Sequence, residues 1–306
     1  MDFLAVPFVS VFILPTLSLY STRLNFIFFY MTWTTLVLTH NARRVELYGT
    51  MAARVVCYFL PSILFFIFDA AAPGTSSLFK ERGEQGLPSG NKKTPVTQKE
   101  LRIVGWSLLN FSLSLVLQMA LETFLIFMPG FWSAVRVWMT IPMPWDIVKD
   151  LFYGFFIREI ITFYTHRYIL HSTDPNSYIA SLHKSWYHNL QTPFPLTAHY
   201  DHPLCYIIGT FLPMYIPVFL IQFHMLTFLV YTVIISLEDL FAFSGYYVLP
   251  SIMLRGVGRR IDAHLASGGK AHFGRWGFWD VFRGTGGSRE GEESTGSSNS
   301  RGKGRA

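Results

Sequence analysis

Six histidines crowd the stretch HRYILHSTDPNSYIASLHKSWYHNLQTPFPLTAHYDHP, residues 166–203: His166, His171, His183, His188, His199 and His202. The rest of the 306-residue chain holds four more, His40, His224, His264 and His272. Imidazole is the commonest side-chain metal ligand and is mostly neutral near pH 7. One histidine at a membrane interface is ordinarily a hydrogen-bonded amphipathic side chain. Six beside long apolar runs are costly unless something binds them together, and a metal ion does so. Histidine with carboxylate or water suits iron, zinc or copper.

Spacing refines this. His166 and His171 are five residues apart, so on a regular helix they diverge by roughly 140°. They share a face only if the helix bulges or ends between them, and the STDPN that follows is rich in turn formers. His183 and His188 repeat the spacing, whereas His199 and His202, three apart, can converge on a helix or turn. The expected picture is several helix ends offering imidazoles to one site. Glu159 lies seven residues before His166 on the same face. It would either orient that ring as an acceptor or pair with Arg158. Glu238 and Asp239 close a long apolar run, as groups behind the site or as a plain helix terminus. A zinc hydrolase is disfavoured because the chain has no HExxH motif.

The elements that must position these residues are membrane helices. The chain is 51% hydrophobic and 14% charged, against roughly 25% charged in soluble domains. Uncharged or nearly uncharged runs cover 3–20, 25–39, 55–68, 103–134 (interrupted by Glu122) and 203–237. A span needs about 20 apolar residues, so roughly four to six spans are expected, with Gln222 and His224 at a turn inside the last run. Proline within the runs is tolerable, because neighbouring helices re-satisfy the freed backbone groups. The first run lacks a basic leader and a cleavage site, and reads as a retained anchor. Four zones follow: N-terminal membrane helices over 1–69, a polar flexible loop over 70–102, a histidine-bearing membrane region over 103–283, and a disordered Gly/Ser-rich tail over 284–306. The net charge of +6 lies largely in short connections and the tail, a topological signal rather than a nucleic-acid surface. Cys57 and Cys205 sit in apolar runs and form no CxxC pair.

From residue 150 onward the chain resembles the fatty acid hydroxylase/sterol desaturase superfamily of membrane di-iron enzymes. HRYILH at 166–171 matches its first histidine box and LHK at 182–184 opens the second. LTAHYDHPL at 196–204, SGYYVLP at 244–250 and WGFWDVFRGT at 276–285 follow in the family's order. The departures are specific. Trp186 and Tyr187 stand where the second box carries histidine, which arrives one place late as His188. Phe243 replaces a histidine before SGY. RRIDAHL at 259–265 keeps only His264 of the third box, with Ile261 and Leu265 at ligand positions.

The resemblance implies an all-α, multi-pass transmembrane helical bundle with a cytosolic histidine-rich cap, in the endoplasmic reticulum. It implies a di-iron centre, incomplete where those positions are lost, that uses molecular oxygen and electrons from a membrane redox protein. The reaction would be hydroxylation or desaturation of a sterol or fatty acyl lipid. The expected ligands are His166, His171, His183, His188, His202 and His264, with His199 and His272 as substitutes. The alternative is a non-catalytic relative with a degraded metal site that binds a lipid or a partner.

Overall fold

A computed structural model describes residues 19–91, 96–129, 132–190, 192–247 and 252–286. Most of the expected N-terminal anchor (3–20), nearly all of the expected tail (from 287) and the end of SGYYVLP lie outside them. The described residues form helices in the order α1 (Leu19–Thr39), α2 (Ala42–Ala71), α3 (Pro73–Phe79), α4 (Gln98–Phe127), α5 (Pro144–Thr165), α6 (Tyr178–Trp186), α7 (Pro203–Ile221), α8 (Met225–Ala242), α9 (Ile252–Ala266) and α10 (Phe278–Phe282). Among the described residues the β pairing consists of two isolated bridges, Lys80 with Tyr246 and Arg136 with His224. Among the described residues four helices, α2, α4, α7 and α8, are long and apolar enough to cross a membrane.

Their outer faces are apolar: Leu64, Val116, Phe124 and Leu220 are all exposed, as lipid contact requires. Polar side chains turn inward and meet each other. Gln118 Nε2 donates to Glu46 Oε1 at 2.8 Å, and the Tyr215 hydroxyl and Ser133 Oγ both donate to Glu122. The α7–α8 connection falls where the sequence places it. Gln222 takes a left-handed φ of 54° to end α7, and His224 Nδ1 accepts from Leu226 N at 3.2 Å to start α8.

Three π-turns interrupt the helices. Those at Val55–Phe59 and Ile207–Phe211 each end two residues before a proline, Pro61 and Pro213. Proline lacks an N–H and crowds the preceding turn, so the ladder widens there. The third, His166–Leu170, has no proline two residues after it and instead brackets the first histidine pair.

Within the 70–102 segment, Lys80 is anchored to the bundle. Lys80 is buried in an ion pair with Asp69 at 2.6 Å and donates to Ser244 O at 2.9 Å. Tyr246 Oη donates to the other Asp69 oxygen at 2.6 Å. A buried carboxylate at the end of α2 needs a cation, and this one recruits it from the loop.

Candidate metal centre

α5 delivers the first pair of histidines. At its end the His171 N–H donates to His166 O at 2.9 Å, closing a π-turn. The wider turn cancels most of the divergence that a five-residue spacing has on an α-helix, and the two ring centroids lie 5.0 Å apart. α6 delivers the second pair. Its first turn is capped by Ser177 Oγ, which accepts from Ala180 N at 3.3 Å. The helix stops at Trp186, and a 3-10 turn over Tyr187–Asn189 re-aims His188. α9 supplies His264 from its last turn. All five rings thus stand at helix C-terminal ends, where the carbonyl dipoles favour a cation.

One ligand atom each from His166, His171, His183 and His264 lies within 4.8 Å of all the others. His188 Nε2 adds itself at 3.1 Å from His171 Nε2. Three rings are held by their outer nitrogens. His166 Nδ1 donates to Phe273 O at 2.9 Å, His264 Nδ1 to Ala271 O at 2.8 Å and His183 Nδ1 to Asp201 Oδ2 at 2.6 Å. A carbonyl or carboxylate only accepts, which assigns the proton to Nδ1 and leaves Nε2 a lone pair. Those three Nε2 atoms are buried and have no partner. Burial, with repulsion among the rings, holds His166 well below the usual imidazole range. Burial first and neighbouring histidines after it push His171 down to about 2 and His188 to about 4. His264 falls to about 3, mainly through burial. These imidazoles are neutral at pH 7 and able to ligate.

The loop behind them is itself pinned. Asp280 accepts from Phe273 N at 2.9 Å, Gly274 N at 2.8 Å and Thr285 Oγ1 at 2.7 Å. The closing WG-x-x-D…GT element therefore works through the backbone, by fixing the 271–274 carbonyls. Gly269 floors the cluster at φ +82°, where an added Cβ would fall 2.1 Å from His171 Cε1.

Two ligands of one ion at about 2.1 Å can be no more than ~4.2 Å apart. The nitrogens of His166, His171, His183 and His264 meet that limit after shifts of a few tenths of an ångström, so these four fit one ion. Among the described residues there is no second group of three or more potential ligands. Tyr187, Phe243 and Ile261 line the cavity beside the cluster, and Tyr187 stacks on His183 with centroids 5.1 Å apart. The positions where the resemblance leads one to expect histidine, in the second box, before SGY and in the third box, are thus occupied by two rings and an aliphatic chain.

Three expected ligands lie outside the group. His199 is buried elsewhere, with Nδ1 2.8 Å from Tyr206 Oη and Tyr58 and Phe111 edge-on to its ring. His202 spends Nδ1 on the Leu204 N–H at 3.3 Å, capping α7, and its ring sits against Trp186. The three-residue spacing of these two spans a change from 3-10 turn to helix start, so their side chains part. His272 has a left-handed φ of 59° and lines the cavity without joining the group.

Glu159 does not orient His166. Its Oε1 accepts from Trp276 N and Gly277 N, both at 3.0 Å, because the sharp turn at Gly277 presents two adjacent amides. Nor does it pair with Arg158, which is held by Glu238 in a two-pronged contact at 3.0 and 2.9 Å. Asp239 holds Arg275 at 2.7 Å. Glu238 and Asp239 thus serve buried arginines rather than the histidines. Asp201 is the orienting carboxylate that sequence reasoning missed. Its signal was the acid between two histidines in HYDH.

The family model described as Fatty acid hydroxylase matches residues 151–285. Very-long-chain aldehyde decarbonylase GL1-8 of Oryza sativa subsp. indica and its counterpart of subsp. japonica are each 33% identical over 109 residues, 35% of this chain and 39% of the relative. The chain thus matches well under half the length of these curated relatives. No solved structure matches significantly. The segment that matches the fatty acid hydroxylase model, residues 151–285, contains His166, His171, His183, His188 and His264.

Proposed function

We propose that the chain is a membrane oxidoreductase that hydroxylates or desaturates a lipid, a sterol or fatty acyl chain, at an iron held by His166, His171, His183, His188 and His264. The observation that carries this is the set of buried Nε2 atoms of His166, His183 and His264, each aimed inward by an acceptor on its Nδ1 and each without a partner. An unmade hydrogen bond on a buried nitrogen is costly, and three together at one point mark a place for a cation. Iron bound there would supply the activation of molecular oxygen. The protein's own part is to keep the imidazoles neutral, fix their tautomers through Asp201 and the 271 and 273 carbonyls, and shelter the site from bulk water. The lipid's apolar body would lie within the helix bundle, and a membrane redox protein would deliver electrons. The site would face the cytosol at the endoplasmic reticulum.

A second reading, a non-catalytic lipid- or partner-binding relative, is favoured by Phe243, Ile261 and Leu265 at positions where the family carries ligands.

Mass-spectrometric metal analysis of detergent-purified protein separates the two. The expected result is about one iron per chain, lost in His183→Ala and retained in His202→Ala. Folded protein purified without chelator and free of iron would overturn the oxidoreductase reading. Two irons per chain would overturn the single-ion assignment and return His199 and His272 to the ligand set.

A further inference from the structure

Two internal cavities share a wall. One lies against the histidine cluster. The other lies deeper, lined by Arg54, Tyr58 and His199, and both are bounded by Thr162, Tyr206 and Gly209. The space open to water-sized groups is about 20 Å³ in the deeper cavity and about 80 Å³ beside the histidines. A water needs roughly 10–15 Å³ by this measure, so the pair holds a small polar group and not a bulky head group.

The charges around the deeper cavity do not balance. Lys80 and Arg158 are buried, and each has its own carboxylate, Asp69 and Glu238. Arg275, on the shared wall, has Asp239. Arg54 is as deeply buried, at 4% exposure, and has no carboxylate of its own among the described residues, since Asp239, which lines the same cavity, is taken by Arg275. Its two terminal nitrogens donate to Ser114 Oγ at 2.6 Å and to Met214 Sδ at 2.7 Å, a neutral hydroxyl and a neutral thioether. The residue stands near the middle of the 30-residue span α2. A guanidinium keeps its charge in any protein environment. Within a span such a charge ordinarily pairs, faces a cavity or marks a binding path. Arg54 faces a cavity, and its planar fork of donors matches one anion best, a carboxylate taken by two parallel bonds.

We infer that Arg54 is the receptor for the carboxylate of a fatty acid, whose head group occupies the cavity next to the one beside the histidine cluster. As a substrate assignment this rests on the function proposed above; as a binding site it does not. Sterols, alcohols and aldehydes lack the anion that Arg54 requires, so the site selects acids among lipids of equal chain length.

The test is binding of radiolabelled palmitate to the full chain purified in detergent, with hexadecanol and hexadecyl phosphate as competitors. In the wild-type protein, palmitate is expected to bind saturably and to be displaced poorly by both competitors. Arg54→Gln should weaken palmitate binding about tenfold or more, the loss of a hydrogen-bonded charge pair, and leave hexadecanol unchanged. Arg54→Lys should fall between. Equal binding of palmitate and hexadecanol by the wild type overturns the inference and needs no folded variant. Unchanged palmitate affinity in folded Arg54→Gln does the same. Stronger binding of hexadecyl phosphate overturns the choice of carboxylate. Iron measured on the same samples keeps the two readings apart: iron-free protein that still prefers palmitate sinks the oxidoreductase and leaves the receptor standing.

Discussion

The histidine cluster and the ion pairs between α5, α8 and the 275–277 turn lie in one domain, and they treat their polar atoms in opposite ways. Arg158 meets both oxygens of Glu238, Trp276 Nε1 adds a third contact at 3.4 Å, and Asp239 takes Arg275. That network closes on itself. The cluster closes only its outer half: Nδ1 atoms are held and the inward nitrogens of His166, His183 and His264 are left bare. Both regions are buried, so burial does not separate scaffold from site. What separates them is whether the polar inventory comes out even. A network that stabilises the bundle satisfies itself, whereas one that awaits a ligand leaves its deficit at a single point.

Four substitutions or conditions should drive the two regions apart. The largest effect belongs to Gly269→Val. A side chain there meets the His171 ring and carries an unfavourable positive φ. Iron should be lost while far-UV circular dichroism keeps its helical signal; retained iron would show that the cluster tolerates a raised floor. Glu238→Gln should act on the other region alone. It leaves Arg158 buried beside a neutral amide, at a cost of about 3–5 kcal/mol. The thermal midpoint in detergent should drop sharply, with iron stoichiometry in the cold unchanged. Asp201→Asn removes the charge behind His183 and should weaken metal affinity about 10–100-fold, read by chelator competition. An affinity equal to wild type would make Asp201 a packing residue only.

The smallest effect is on pH dependence in metal-free protein. His171, His188 and His264 sit below the ordinary value of 6.5, at about 2, 4 and 3. The unfolded chain therefore takes up protons first as pH falls below 6.5. Stability should be level above that value and decline steadily toward pH 4. A thermal midpoint that stays flat across that window would mean these rings are not buried neutral.

Much of the bundle was legible because membrane helices advertise themselves through long uncharged runs, and the Gln222–His224 turn shows as the polar break in one of them. The first histidine box was legible for a different reason: a five-residue spacing calls for a bulge or a helix end, and the structure contains the bulge. Sorting the eight candidate ligands was not legible. His199 and His183 look alike in a string of letters, and only the fold sends one toward Tyr206 and the other toward Asp201. Glu159 shows the limit of helical periodicity. It does share a face with His166, yet the amides at 276 and 277 take its oxygen before the imidazole can. Lys80 was hidden in a loop whose composition speaks only of turns.

The loop that carries the carbonyls of Ala271 and Phe273 has a consequence for biogenesis. His264 and both carbonyl anchors are synthesised after α2, α4, α7 and α8. Until residues 264–280 dock, His166 has no acceptor for Nδ1 and the cluster lacks one of its donors. Metal capture at the proposed site would therefore be a late event, timed by arrival of the chain's last described segment, and a polypeptide stalled before it would insert its spans and stay empty.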